Sequence, residues 1–290
     1  MSANATPGRR EKGKTQNRTT FFPRFIAVVL ILLAFVGFLF YLLQPVTFTY
    51  RGMTMEAVPG VAVNRYDPDG FYTDEKGRVQ YTSKGASARA GIDVSYSQGD
   101  IDWAAVAADG VDFAIIRLGY RGYTQGAIQT DSCFYQNIQG ALDAGLDVGV
   151  YFFSQAITPE EARQEADYTL SLLESYPITC PVVYDWEPIT FAEGARTDQL
   201  EHEVLTQCAA AFCQQIAQAG YTPAVYFNQE MGYFSFDLKE LSPFQFWLAE
   251  YDSYPSFYYG FTMWQYTHEG RVDGIQTPVD WNLDFSGLKR

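Results

Sequence analysis

Cysteine and histidine are scarce in this chain, whose 290 residues include four Cys and two His. No CxxC pair occurs. His268 lies far in sequence from any Cys, and the nearest Cys to His202 is Cys208. The ligand spacing of a zinc site is therefore missing, and we expect no metal and no cofactor. We expect buried free thiols, with one disulfide as the alternative if the domain is extracellular. The four cysteines are Cys133, Cys180, Cys208 and Cys213.

Positive charge is also sparse, with 20 Lys and Arg against 34 Asp and Glu and a formal net charge of −14. Six of the basic residues fall in residues 1–24, beside the single acid Glu11. The remainder is thus even more acidic than the total. Because phosphate recognition needs a basic face, this composition excludes nucleic acid as a partner.

One long segment contains no charge at all: 25–43 reads FIAVVLILLAFVGFLFYLL. As a helix it would be about as long as a hydrocarbon core is thick, which predicts a transmembrane helix. A buried helix of a soluble protein would show a polar stripe, and a cleaved signal peptide would be shorter and end in a small-x-small site. The basic tail 1–24 predicts a cytoplasmic N-terminus and an extracellular remainder.

Beyond this segment the sequence changes character twice. Residues 44–89 are interpreted as an extracellular stalk or a small attached element, in which FYTDEKGRVQYT (71–82) predicts a β-hairpin. Residues 90–290 alternate apolar strands with helical stretches, the pattern of a parallel sheet covered by helices. About seven or eight strands in roughly 200 residues favour an α/β fold closed into a β/α barrel over an open sheet.

Four acids fall near strand ends, where a β/α barrel carries its active site: Asp93, Asp185, Glu187 and Asp280. Asp185 and Glu187 stand at i and i+2 in PVVYDWE, so on a strand they face the same way, roughly 6–7 Å apart at the backbone. Two facing carboxylates raise one pKa, which provides a proton donor for glycosidic cleavage beside a second carboxylate. The alternative is a solvated strand end or a helix cap.

The order of the motifs resembles glycoside hydrolase family 25, the Chalaropsis-type lysozymes. The resemblance covers about 90–288 and rests on GIDVSYSQGDIDW, DFAIIRLG, AGLDVGVYFFS, PVVYDWE, GYTPAVY, FWLAEY and WQYTHEGRVDGIQTPVDWN. It implies a flattened β/α barrel that hydrolyses the β-1,4 bond between N-acetylmuramic acid and N-acetylglucosamine. By position, Glu187 is similar to the general acid and Asp185 to its partner carboxylate. Asp93 and Asp280 match the other two active-site acids.

The sequence departs from the family pattern at Tyr96 and Phe152, where many members have His, and at Trp281, where an aliphatic residue is common. These changes bear on contacts with substrate. Among aromatic residues near the motifs, Trp186 and Trp103 are interpreted as core. Sugar stacking competes with packing at the residues that we predict to bind substrate, which are Tyr120, Tyr151, Tyr226 and Trp264.

The sequence thus predicts a peptidoglycan hydrolase, a lysozyme or muramidase. We expect a monomer, anchored in the cell membrane through 25–43 with its catalytic domain outside. Two alternatives stay open at this point. One is a barrel that binds peptidoglycan without cutting it, and the other is a barrel glycosidase that acts on another polysaccharide.

Overall fold

The computed structural model describes residues 1–2, 21–42 and 44–288, except for the side chains of 21–24 and 42. Residues 3–20 of the predicted tail 1–24 therefore lie outside the described residues. The chain divides into two compact units, Met1–Ala57 and Val58–Arg290. This boundary falls well before the one expected at 89/90.

The first unit contains helix α1, Phe21–Leu42, and a hairpin of β1, Thr47–Tyr50, with β2, Met53–Glu56. Arg51 and Gly52 turn this hairpin, both with positive φ, as a tight two-residue connection requires. In α1 the side chains of 25–41 are exposed. Among the described residues, no helix is both long and apolar enough to cross a membrane, so the predicted transmembrane helix is not supported.

In the second unit, eight strands form a closed barrel with a ninth strand at one side. Apolar runs such as 113–116, whose side chains are fully buried, form these strands because both of their faces are covered. In chain order they are β6 Arg89–Val94, β7 Phe113–Arg121, β9 Asp147–Phe153, β10 Val182–Asp185, β11 Pro223–Asn228, β12 Gln245–Ala249, β13 Met263–Gly270 and β14 Val279–Asp284, with β8, Ile128–Thr130, beside β7.

Helices lie in the connections between these strands: α2 Trp103–Ala108, α3 Phe134–Asp143, α4 Pro159–Leu173, α5 His202–Gln218, α6 Gln229–Phe234 and α7 Leu238–Leu241. The start of α4 shows why they begin where they do. The Thr158 hydroxyl accepts from the Glu161 amide, Pro159 fills the first position, and two acids occupy the first turn. The predicted alternation of strands with helices is confirmed from β6 to β12, and β14 is a further strand.

The barrel is mixed rather than parallel, which corrects the sequence-based expectation. β14 runs antiparallel to both β13 and β6, and the parallel pair β6–β7 closes the ring. The reason is the connection between β13 and β14, a loop over 271–278 without a helix. A parallel neighbour needs a longer crossover, whereas a short loop returns the chain antiparallel.

Of the two alternatives for this part of the chain, the contacts of 58–88 favour an attached element over a free stalk. The predicted hairpin is confirmed: β3, Phe71–Thr73, pairs antiparallel with β4, Val79–Ser83, and β5, Ala86–Ser87, follows. The Tyr66 ring lies 4.2 Å from that of Phe285, and the Phe71 ring lies 5.5 Å from that of Trp264. The Tyr66 hydroxyl also donates to the Phe261 carbonyl at 2.7 Å. Aromatic contacts therefore bind this segment to β13 and to the end of β14.

Candidate active site

Alternation along the strands builds the site. On β7, Phe113 and Ile115 belong to a buried apolar cluster, and Arg117 follows two residues later. On β10, Val183 of the same cluster is followed by Asp185. Because every second side chain of a strand faces one side, polar groups come next after the apolar cluster towards the C-terminal ends of the strands. The candidate acids therefore meet at that end of the barrel.

Asp93, near the end of β6, is almost fully buried. Its Oδ2 accepts from Gln265 Nε2 at 2.9 Å and from Asn282 Nδ2 at 2.8 Å. Burial and the charge of Asp280 raise the pKa of Asp93 well above its usual range, and the two amide hydrogen bonds only partly oppose this. Two neutral amides thus hold this carboxyl group.

Asp185 is the last residue of β10, and Glu187 lies just beyond the strand, which ends earlier than predicted. Burial, the charge of Glu187 and that of Asp93 raise the pKa of Asp185 well above its usual range, while Arg117 acts in the opposite direction. Its buried Oδ1 has no hydrogen-bond partner among the described residues. A buried acceptor of this kind is available to a substrate donor.

Glu187 is partly buried, and its pKa is raised by burial and by the charge of Asp93. The main-chain carbonyl of Glu187 is fixed by a hydrogen bond. Gln155 Nε2 donates to the Glu187 carbonyl at 3.0 Å, and Thr197 Oγ1 donates to Gln155 Oε1 at 2.6 Å. The buried Gln155 therefore fixes the backbone from which the Glu187 carboxyl projects.

Asp280 completes the cluster, since its position on β14 is directly opposite Asp93 on β6. Burial, with a smaller contribution from the charge of Glu187, raises the pKa of Asp280 to about 6, against the opposite effect of a hydrogen bond from its own backbone amide. All four predicted acids therefore influence one another at one end of the barrel. Carboxyl groups that stay protonated towards neutral pH can donate protons there.

The four predicted substrate-binding aromatic residues are placed differently. Burial and the charges of Asp93 and Asp185 raise the pKa of Tyr151, although Arg117 lowers it, so this ring lies within the cluster. The Tyr226 hydroxyl donates to Gln265 Oε1 at 3.0 Å, and Tyr226 is likewise within the cluster. Tyr120 lies near the end of β7 and is partly buried, and its hydroxyl donates a hydrogen bond to Gln129 Oε1 at 3.1 Å.

Trp264 requires a correction. It lies one residue out of phase with Gln265 and is fully buried, with its indole N–H donating to the Glu250 carbonyl at 2.7 Å. Its ring packs against Phe71, outside the acid cluster. Of the two alternatives, the structure supports packing and not sugar stacking. Trp103 and Trp186 are buried, as predicted for core residues.

Sequence reasoning missed four residues that the structure brings to the site: Gln265, Asn282, Arg117 and Tyr251. The Tyr251 hydroxyl donates to Gln265 Oε1 at 3.0 Å. A signal for the first two existed, since Gln265 interrupts the run of large side chains FTMWQY (261–266) and Asn282 follows Asp280 at i+2. Arg117 forms an ion pair with Asp131 and lies 4.7 Å from the ring of Tyr96, one of the positions that depart from the family pattern.

Metal ligands and thiols complete the inventory. Within the described part of the chain, no group of three or more His, Cys, Asp or Glu side chains could hold a metal ion. The four cysteines are free, three of them buried and Cys133 partly exposed. The prediction of buried free thiols is therefore confirmed for three of the four.

Comparison with known proteins identifies the family to which this chain is similar. The family model described as "Glycosyl hydrolases family 25" matches residues 92–275. Lysozyme M1 of Streptomyces globisporus is 30% identical over 210 residues, which cover 68% of this chain and 67% of that protein. The autolytic lysozyme of Clostridium acetobutylicum is 28% identical over 199 residues, 68% of this chain but only 56% of the relative.

A solved structure agrees with these matches. The crystal structure of the bacterial lysozyme from Streptomyces coelicolor has a TM-score of 0.55 and 26% identity. That match covers 70% of this chain and 94% of the solved one.

Proposed function

Because the chain belongs to glycosyl hydrolases family 25, we propose that it is a peptidoglycan hydrolase that cuts the β-1,4 bond between N-acetylmuramic acid and N-acetylglucosamine. The single observation that carries the proposal is the group of four carboxyl groups with raised pKa values at one end of the barrel. The relatives named lysozyme support the choice of substrate. The chain spans just over half of the clostridial relative, so the activity of that whole protein is not transferred directly.

In this proposal Glu187 is the general acid. Burial and the charge of Asp93 raise its pKa, so its carboxyl group stays protonated at higher pH than an ordinary glutamate. The proton passes to the glycosidic oxygen as the bond to the departing sugar breaks. Gln155 holds the main chain of Glu187 and so limits the positions that this carboxyl group can take.

Asp185 is the partner carboxylate. Cleavage develops positive charge at the anomeric carbon, and a carboxylate beside it stabilises that charge, either directly or by holding the substrate's acetamido group while that group attacks. The unpartnered Oδ1 supports such contact with substrate. Asp93 and Asp280 tune the charge of the site and offer hydrogen bonds to sugar hydroxyl groups.

The place of action is part of the proposal. Peptidoglycan lies outside the cytoplasmic membrane, so we place the barrel there. The basic residues before the apolar run 25–43 are the sequence feature that motivates an N-terminus on the cytoplasmic side. Protease added to intact spheroplasts should digest a barrel located outside, and a protected barrel would contradict this placement.

Product analysis tests the proposed reaction. Purified peptidoglycan is digested, and the new reducing ends are identified by mass spectrometry after borohydride reduction. Reduced N-acetylmuramic acid is the expected product. Reduced N-acetylglucosamine would contradict the proposed bond, and binding without any product would indicate a non-catalytic barrel. Cleavage of a different polysaccharide instead would reassign the substrate.

A further inference from the structure

A cavity of about 530 Å³ is lined by residues outside the acid cluster. One wall is the turn 76–79 of the β3–β4 hairpin, and the other walls are 251–253 after β12 and residues from the end of β13 to Arg271. Trp281 of β14 also lines it. Its volume lies in the range of small-ligand sites. Because 251–253 follow the C-terminal end of β12, the cavity is at the same end of the barrel as the acids.

One hydrogen-bonded path joins this cavity to the cluster. The ring of Tyr251, which is 52% exposed, lines the cavity, and its hydroxyl donates to Gln265 Oε1 at 3.0 Å. Gln265 in turn donates to Asp93 at 2.9 Å. The imidazole of His268 lies 4.6 Å from the Tyr251 ring. A ligand in contact with Tyr251 is therefore one residue away from the groups that hold Asp93.

The hairpin wall is firmly attached to the barrel. Lys76 and Arg78 both pair with the buried carboxylate of Asp109, which also accepts from the Asp273 amide at 3.0 Å. The Arg78 guanidinium lies over the Trp281 ring, 4.4 Å from its centroid. This wall precedes the region 92–275 that matches the family model, whereas the walls formed by 251–253 and by the end of β13 lie within that region.

The lining indicates what kind of ligand it accepts. Exposed groups of both signs line it, with Lys76 and Arg271 basic and Asp252 and Glu269 acidic. A phosphate or another strong anion would meet two carboxylates, and a cation would meet two basic groups. Sugar hydroxyl and acetamido groups are neutral and both donate and accept, so they suit mixed partners. The exposed Tyr251 ring adds an apolar face.

From these features we propose that the cavity is an accessory glycan subsite, occupied by a sugar of the strand being cut beyond the sugars that flank the cleaved bond. This inference rests on the proposed function, because the strand reaches the cavity only if it is also bound at the acid cluster. Its consequence is a preference for long glycan strands over short ones.

Binding to strands of defined length tests the subsite. In Glu187→Gln protein, which is expected to bind without cutting, affinities for a peptide-free tetrasaccharide and octasaccharide are measured by calorimetry. Arg271→Ala removes an exposed donor from the cavity and leaves Lys76 and Arg78 on Asp109. Arg163→Ala removes the same charge on the exposed side of α4 and serves as the matched control. Thermal unfolding checks that each variant folds.

We expect the cavity variant to bind the octasaccharide about tenfold more weakly, as for the loss of one or two hydrogen bonds, and the tetrasaccharide within about twofold of its parent. The control should match its parent with both ligands. Ser253→Trp, which fills the cavity, should reproduce the length-selective loss. Equal losses for both lengths, or no loss for either, would overturn the subsite.

A loss seen only with strands that carry stem peptides would also overturn it, in favour of a peptide site. Activity of the unsubstituted protein on the same strands is measured separately. If that protein cuts neither strand, the proposed function fails, while the binding comparison still decides the subsite.

Discussion

The acid cluster and the Asp109 anchor show two environments for buried carboxyl groups in one domain. Asp109 pairs with Lys76 and Arg78, whereas Asp93 is held by the neutral amides of Gln265 and Asn282. Burial opposes ionisation in both regions. At Asp109, hydrogen bonds from Lys76, the Asp273 amide and Arg78 outweigh burial and lower the pKa to about 2, while the pKa of Asp93 is raised.

The two environments suit two roles, which are attachment of the hairpin at Asp109 and proton donation in the acid cluster. A carboxylate paired with cations stays ionised and stabilises the fold, as Asp109 does for the hairpin. A carboxyl group that is buried among other acids binds its proton more tightly and is ready to donate it. The comparison therefore predicts opposite results when members of the two regions are made neutral.

The largest expected effect is at the proton donor. Glu187→Gln should lower the rate of peptidoglycan cleavage by about 10²–10⁴-fold, because an amide cannot deliver a proton to the glycosidic oxygen. The change is nearly isosteric, so the melting temperature should stay close to that of the parent. Release of reducing ends measures the rate.

Glu193→Gln, an exposed change in the loop that follows, is the matched control and should keep full activity. If Glu187→Gln kept more than about a tenth of the activity, Glu187 would not be the acid.

A second prediction concerns the pH profile of Asp93→Asn. The charge of Asp93 raises the pKa of both Asp185 and Glu187, so its removal should lower both pKa values. A general acid loses activity as pH rises through its pKa. The basic limb of the profile should therefore move to lower pH, and initial rates across a buffer series measure this. An unmoved basic limb would show that Asp93 does not act on Glu187.

Asp109→Asn should destabilise the domain by about 1–2 kcal/mol at neutral pH, because it removes an ionised partner of Lys76 and Arg78. The folded-state pKa lies below the usual value of 3.8, so this stability is present above that pH and is lost as pH falls towards about 2. Urea unfolding at several pH values measures the difference. Asp198→Asn, an exposed change, should alter little. A constant difference down to pH 2 would contradict the electrostatic explanation.

The smallest expected effect has the opposite sign. Asp280→Asn should stabilise the domain by about 1 kcal/mol at neutral pH, because the folded-state pKa is raised to about 6 and ionising this buried group costs stability. Stability from this group is complete below its ordinary pKa of 3.8 and is lost as pH rises through 6. The gain should disappear in acid, and destabilisation at neutral pH would place Asp280 with the paired acids.

The sequence was informative where one pattern admits one structure. Buried apolar strands such as 113–116 predicted the barrel. The i, i+2 spacing of Asp185 and Glu187 at a strand end predicted the end of the barrel at which the acids lie. The direction of β14 did not follow, because the alternation of apolar and polar residues in VDWNLD (279–284) reads the same in either direction. The apolar alternation of 71–82 likewise suits a free hairpin or one packed on a barrel, so the place of 58–88 depended on tertiary contacts.

The missed site residues have a similar cause. Gln265 and Asn282 have no chemistry that marks them as catalytic, and their importance comes from Asp93, which is distant in sequence. For Trp264 the sequence left sugar stacking and packing as alternatives, because the residue falls near a strand end. Adjacent side chains of a strand face opposite sides, so the Trp264 ring points away from the side that Gln265 faces. The pairing of β13 with β12 determines which of the two faces the acids.

Titration of individual carboxyl groups tests the central claim most directly. Carbon-detected NMR of the Asp and Glu carboxyl signals, assigned with the variants Glu187→Gln, Asp280→Asn and Asp109→Asn, yields each pKa in the folded protein. We predict about 2 for Asp109, about 6 for Asp280 and a value above the usual range for Glu187. Ordinary values near 4 for all three would contradict the account, because the two regions would then not differ in the property that assigns catalysis to one of them.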